Sequence, residues 1–473
     1  MSVNSKKDDV LQTIAEYVLH KDINSQEAYQ TATCCLADAL SCAMLALNFQ
    51  ECQKLLGPIV PGTIVPHGTH VPGTSYHLDP VMGAFNIGAM IRWLDFNDTW
   101  LGVEWGHPSD NLGGILAIAD HLSRVQKVKR EKQILMKEVL FAAIKAYEIQ
   151  GVLALTNSFN RVGLDHVIFV KVATAAVVTA MLGGTHAQIV DAISHAWIDI
   201  SSLRTYRQAV NGGSRKSWAA ADATSRGVLF SLFVMRGEMG YPAALTAPQS
   251  GLCDVLFKGT PITLSRPLES YVMENILFKV AFPAEFHAQT AVECAILLHN
   301  EIGGKVEEIE SIEIETHESA MRIIDKVGPL QNPAERDHCL QYMVAIALIK
   351  GSLNAFDYEE KASQDARIDT LRDKMKVREN KQFSIDYLDP NKRSIANRIT
   401  LHLKNGIKLH KTIEYPYGHR RRREEGLPLL FKKFAANLKT RLPESKVEAI
   451  LTLFQDSKKL SEMPVCDFID LFS

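Results

Sequence analysis

Apolar residues recur three and four apart over residues 28–48, 81–95, 133–155, 167–181 and 218–236, and Ala and Leu dominate these stretches. That spacing lines one face of a helix and would scatter over both faces of a strand, so the first ~265 residues are expected to form an all-helical body. Gly183-Gly184 followed by Thr185 stops one helix and caps the next, giving two antiparallel neighbours with a short connection. The texture changes after Pro261. Residues 311–317 (SIEIETH) alternate apolar with polar, and 399–403 is followed by Asn405-Gly406 and then by Ile407, Leu409 and Ile413 at even spacing. Asn-Gly between alternating runs is a strong hairpin signal. Helical spacing returns over 427–438 and 447–454. The expected architecture is therefore mainly α: a large all-helical domain, 1–265 plus 419–473, with a smaller α+β lid inserted at 266–418. A chain of 473 residues should divide in some such way, because single cores stop growing at roughly 250–300 residues. The cleft between the two units is where a ligand site is expected.

Fifty-two Lys and Arg against fifty-four Asp and Glu leave a net charge of −2. No global field exists to hold nucleic acid or an anionic membrane, so any anion site must be local. The eight cysteines are irregularly spaced with no C-x-x-C pair, which removes the usual zinc and redox signatures and the spaced ligands of an iron–sulfur cluster; they read as reduced core thiols. Residues 1–9 are polar and mixed in charge, unlike a secretory or transit signal, and the apolar run 172–182 is too short to cross a bilayer. A soluble, cytoplasmic protein is expected.

The segment from Asp95 to Asp110, DFNDTWLGVEWGHPSD, breaks a helical pattern and packs carboxylates, two Trp, a Thr and a His into sixteen residues. Trp on a loop must pack, and Gly-His-Pro sets the imidazole on a stiff turn. Composition alone leaves two readings, a buried loop with capping side chains or a site. His166 beside Asp165 at the start of an apolar helix is, taken alone, more often a capping residue. Lys216 follows Gly-Gly-Ser-Arg, but Arg215 occupies the glycine position of a phosphate loop and no strand precedes it, so the nucleotide reading is rejected. Arg420 to Arg423, followed by Glu424-Glu425, reads as a solvated run or as a patch through which a non-catalytic scaffold could hold a polyanion. A metal enzyme using His107, His166 and His287 lacks any compact motif such as H-E-x-x-H.

DFNDTW with EWGHPSDNLGGILA resembles the segment that opens the active site in the MmgE/PrpD family, and its long WLGVEWGHPSDN form is similar to the family's dehydratase branch. Four further segments match in order: 213–218 (GSRKSW) with 222–226 (DATSR), 282–287 (FPAEFH), Gln341-Tyr342, and 415–423 (YPYGHRRRR). The resemblance implies that Asp95, Thr99, His107, His166, Lys216 and Tyr342 line the substrate cleft, with His287 an addition. It assigns catalysis to His107, His166, Asp95, Lys216 and Tyr342, and substrate binding to Thr99, Lys216, His287 and Arg215. The implied reaction is elimination of water from a small-molecule tricarboxylate, 2-methylcitrate, in propionate catabolism, with citrate or cis-aconitate as further substrates and with no cofactor or metal. A decarboxylase or isomerase of a similar acid is the alternative; the length of the segment and its Glu104 and Trp105 favour the dehydratase. A homodimer through the helical domain is also implied. Elimination needs a base for the proton alpha to a carboxylate, an acid for the departing hydroxyl and cations for the carboxylates, and imidazole with a pKa near 6.5 suits the proton transfers.

Overall fold

The computed structural model describes residues 8–207, 212–389 and 391–473. The fold is mainly α, with one four-stranded sheet set into the second half. The helices Pro80–Arg92, Leu112–Lys129, Ile168–Met181 and Arg215–Met235 pack on one another at the centre of the larger core. Small residues allow that closeness. A Cβ on Gly113 would lie 2.9 Å from the backbone nitrogen of Gly88, so only glycine lets these two helices approach as they do. Asp79 caps Pro80–Arg92 through the amides of Val81 and Met82. Thr185 and Gln188 form the capping box that starts His186–Ile198, two residues after Gly183 at φ +82°.

The helical body is not purely helical. Two antiparallel ribbons interrupt it, β1 (Thr69–His70) with β2 (His77–Leu78) and β3 (Trp100–Leu101) with β4 (Trp105–Gly106). Two-residue strands have no period to read, which is why the sequence shows loops there. Met136–Thr156 is long and apolar enough to cross a membrane, unlike the 172–182 run, but 83% of its apolar window is buried inside the protein, where it serves as a core helix. All eight cysteines are free and buried.

A second core is built on a sheet of order β6-β5-β7-β8: β5 (Ile309–Thr316), β6 (Met375–Glu379), β7 (Asn397–Leu403) and β8 (Lys408–Ile413). β7 and β8 form the hairpin around Asn405-Gly406, with Gly406 at φ +83°. β5 pairs antiparallel with β7 and parallel with β6. Gln289–Glu301 and Leu340–Lys350 pack together, and this core takes its side chains from both helices and from β5 and β7. The chain then returns to the larger core. Arg423–Leu438 packs on Gln26–Ala46, where Lys433 reaches Asp38 at 2.7 Å.

Each arginine of the run Arg420–Arg423 finds a partner within the chain. Arg420 pairs with Glu27, Arg422 with Glu293 and Glu425, Arg421 donates to the Asn391 carbonyl and Arg423 to those of Glu274 and Ile276. Arg420 and Arg421 are exposed and Arg422 and Arg423 half-buried, so the run is solvated at its start and engaged by the chain's own acids and carbonyls, which leaves no free polyanion patch.

Candidate active site

A cavity of about 330 Å³ lies where the two cores meet, at the small end of the usual ligand-pocket range of about 300–1,000 Å³. The helical body supplies Arg92, Asp95, Thr99, His107, His166 and Lys216, and the sheet-bearing side supplies Glu285, Arg322, Lys326 and His338.

The loop between Arg92 and Leu112 is held by its own carboxylates. Asp98 accepts from the Ser109 amide and hydroxyl and from Tyr147 Oη at 2.6 Å. Glu104 accepts from the Asn160 amide at 2.7 Å, and Trp100 Nε1 donates to the Gly151 carbonyl. Burial pushes both acids up, Asp98 to about 6 and Glu104 to about 7. The loop's foot is fixed by Asn111, which donates to Gln150 and accepts from Thr174. Thr99 is pinned by a two-bond bridge to Leu277.

Asp95 sits at the cavity floor in the left-handed region at φ +49°, a conformation costly for a residue with a Cβ and held only by strong surroundings. Lys279 Nζ donates to its carbonyl at 2.6 Å and pairs with Oδ1 at 2.9 Å, while Arg92 meets the same oxygen at 2.6 Å. Burial alone would raise this carboxyl, but Arg92 and Lys279 hold it well below the usual range, so it stays ionised.

Three imidazoles face this centre. His107 Nδ1 lies 2.6 Å from the Asp98 carbonyl, an acceptor only, which places the proton on Nδ1 and leaves the Nε2 lone pair toward the cavity, 3.5 Å from Asp95. His166 has Asp165 3.0 Å from Nδ1 but out of line, and both ring nitrogens are buried without a hydrogen-bond partner. Asp165 is instead engaged by Arg207 and Tyr206. The rings of His107 and His166 are 6.3 Å apart. His338 Nδ1 lies 2.7 Å from Asp337 and 3.0 Å from Lys216 Nζ, and its Nε2 is 4.0 Å from Asp95. Burial lowers all three, His166 to about 3, with the cavity's cations adding to the effect. They are neutral at pH 7. Lys216 donates to Asp337 at 2.5 Å and to the Ala334 carbonyl at 2.7 Å, and burial lowers it from the ordinary lysine range.

Among the described residues, seven cations face the cavity (Arg92, Arg204, Arg207, Lys216, Lys279, Arg322, Lys326) against three carboxylates (Asp95, Glu285, Glu335). That excess suits a small polyanion. No three His, Cys, Asp or Glu side chains among the described residues converge as metal ligands.

The chain is matched by the MmgE/PrpD N-terminal domain over residues 12–265 and by the MmgE/PrpD C-terminal domain over 282–459. The chain belongs to the MmgE/PrpD family. Among its relatives are the 2-methylcitrate dehydratase of Escherichia coli (strain K12), 57% identical over 97% of this chain and 96% of that protein, and that of Cupriavidus necator, 56% identical over 98% and 97%. The mitochondrial 2-methylcitrate dehydratase of Yarrowia lipolytica is 55% identical over 98% and 90%.

Of the positions the MmgE/PrpD motifs imply, the structure brings Asp95, Thr99, His107, His166 and Lys216 to one cavity and leaves three outside it. Tyr342 is turned into the second core, its hydroxyl donated to the Asp357 carbonyl at 2.7 Å. His287 is fully buried behind Glu285 and Phe286, with Nδ1 on Glu285 at 2.8 Å and Nε2 on Tyr387 at 3.0 Å. Arg215 lies over the Trp218 ring at 4.3 Å instead of facing the cavity. Conversely, His338, Lys279, Arg92 and Arg207 face it and carry no motif in the sequence. The available signals were a polar Asp337-His338 pair just ahead of an apolar helix and a lone lysine between Phe278 and Val280.

Proposed function

We propose that this protein is a 2-methylcitrate dehydratase, a hydro-lyase that converts 2-methylcitrate to 2-methyl-cis-aconitate in the methylcitrate cycle of propionate catabolism. The observation that carries the chemistry is the pair of neutral, buried imidazoles, His107 with its Nε2 lone pair free and His166 with no partner, facing one cation-rich cavity. Neutral imidazole is the form that accepts a proton, and a site dense in cations is the form that receives three carboxylates.

In this reading Lys216 and the arginines hold the substrate carboxylates, and Lys216 offsets the charge that grows as the carbon alpha to a carboxylate loses its proton. The C–H electron pair becomes the double bond, the C–O bond breaks, and the hydroxyl leaves as water with a proton from an acid. His107 and His166 serve as the base and acid. A bound trianion raises the pKa of every nearby imidazole, which lets one of them carry the proton that departs. The Asp98 carbonyl orients His107 through Nδ1, Asp95, ionised and rigidly held 3.5 Å from Nε2, stabilises the imidazolium that forms when that nitrogen takes a proton, and Thr99 binds a carboxylate. His338, tied to both Asp337 and Lys216, extends the set from the opposite wall.

The two cores support a helical body carrying an inserted lid, but not the expected boundary at 266: Leu268, Val272, Met273, Ile276, Phe278 and Val280 pack in the larger core, and the lid's own core begins at Ala284. A homodimer through the helical body belongs to the same reading, supported by exposed Phe233, Met239 and Tyr241; a monomeric mass at micromolar concentration would remove it. A cytoplasmic location is proposed with it and is checked by fractionation.

The test is incubation with 2-methylcitrate and with citrate, following the ultraviolet absorption of the conjugated product and identifying it by NMR. Loss of water without loss of CO2, undiminished by a chelator, is expected. Release of CO2 would favour a decarboxylase, and chelator inactivation reversed by a metal would overturn the metal-free mechanism.

A further inference from the structure

The cavity is charged on most sides but not on all. Leu101, Trp105 and Phe286 line it together and belong to an apolar cluster separate from both main cores, where Leu101 and Phe286 pack with Leu277 and Ile395 while Trp105 and Tyr387 lean on them. Leu101 is 6% exposed and Phe286 1%. This face is therefore apolar and held in place by packing. Trp105 is braced by two guanidiniums, Arg204 at 5.5 Å from the helical body and Arg322 at 5.7 Å from the sheet-bearing side. Arg393 donates to the Leu101 carbonyl at 2.7 Å. Leu101 pairs with Trp105 across the β3–β4 ribbon, and Gly106 and His107 follow at once. His166 closes over the same ribbon, since a Cβ on Gly106 would stand 3.0 Å from its ring.

We propose that this wall seats the substrate's methyl group and is the determinant that sets 2-methylcitrate above citrate. The inference rests on the dehydratase reading. In that reaction the proton leaves the carbon that bears the methyl, so methyl and departing proton share one tetrahedral carbon. Whatever recognises the methyl must therefore adjoin the base, while the carboxylates point elsewhere, toward the cations. The β3–β4 ribbon meets this requirement by delivering an apolar face and a histidine from one short piece of backbone. A single methylene in an apolar pocket changes kcat/KM by roughly 10–200-fold, enough to separate two acids that differ by one carbon.

The test measures kcat/KM for 2-methylcitrate, for citrate and for the homologue carrying ethyl at the same carbon, in the wild type, Leu101→Ala and Phe286→Leu. Ratios between substrates cancel any loss of folded protein. The wild type should favour 2-methylcitrate over citrate by about tenfold or more, and both variants should cut that ratio by about fivefold or more while raising relative use of the ethyl homologue. A wild type that dehydrates 2-methylcitrate, with ratios unmoved within about twofold in both variants, overturns the methyl seat alone. A wild type that dehydrates neither acid overturns the dehydratase reading and the seat with it.

Discussion

His166 and His287 are both buried and both stand beside a carboxylate, yet their surroundings differ. Each ring nitrogen of His287 has a partner, Glu285 on one side and Tyr387 on the other, and His317 stacks on that tyrosine at 4.5 Å. His166 is 3% exposed, faces the cavity and has no hydrogen-bond partner on either nitrogen. A buried polar atom without a partner costs about 1–3 kcal/mol and is kept only where something repays it. A satisfied histidine contributes to the fold; an unsatisfied one at a cavity is free to exchange a proton. Sequence cannot separate the two, because each is simply a histidine near an acid.

The comparison breaks most readily at His107, which resembles His166 in having one nitrogen open to the cavity. His107→Gln should lower kcat by roughly 10²–10⁴ with little change in melting temperature, read by steady-state kinetics beside a thermal melt. Lys216→Met should lower kcat/KM by about 10–100-fold, chiefly by raising KM, with kcat falling too if the ammonium also offsets charge developing on the substrate. His287→Gln tests the closed side. It should cost about 1–3 kcal/mol of stability in denaturant titration while leaving kcat within a few-fold. Tyr342→Phe should cost about 1 kcal/mol, the net worth of its bond to the Asp357 carbonyl, and leave kcat within about twofold.

Much of the fold is legible in the sequence where a period is long enough to register. The helices around 80–92 and 215–235 declare themselves by apolar residues at helical spacing, and the β7–β8 hairpin by Asn405-Gly406. β6 does not. It is an edge strand of five residues, Met375–Glu379, in which only Met375 and Val377 alternate with Lys376 and Arg378 before Glu379, a run too short and too charged to stand out in the sequence. Asp95 to Asp110 is legible because its composition is unlike that of an ordinary loop. His338 and Lys279 are not, because each is one residue whose meaning comes from a partner over a hundred positions away. Tyr342 errs in the other direction: the phase of its helix turns it into the second core, and only packing reveals that phase.

The central claim is that the open imidazole pair performs the proton transfers, and kcat of His166→Gln for 2-methylcitrate tests it most directly, with a melting curve taken on the same sample. A fall of roughly 10²–10⁴ with an unchanged melting temperature is the predicted result. A folded variant that turns over at near-normal rate would contradict it and leave the cavity without its base or acid.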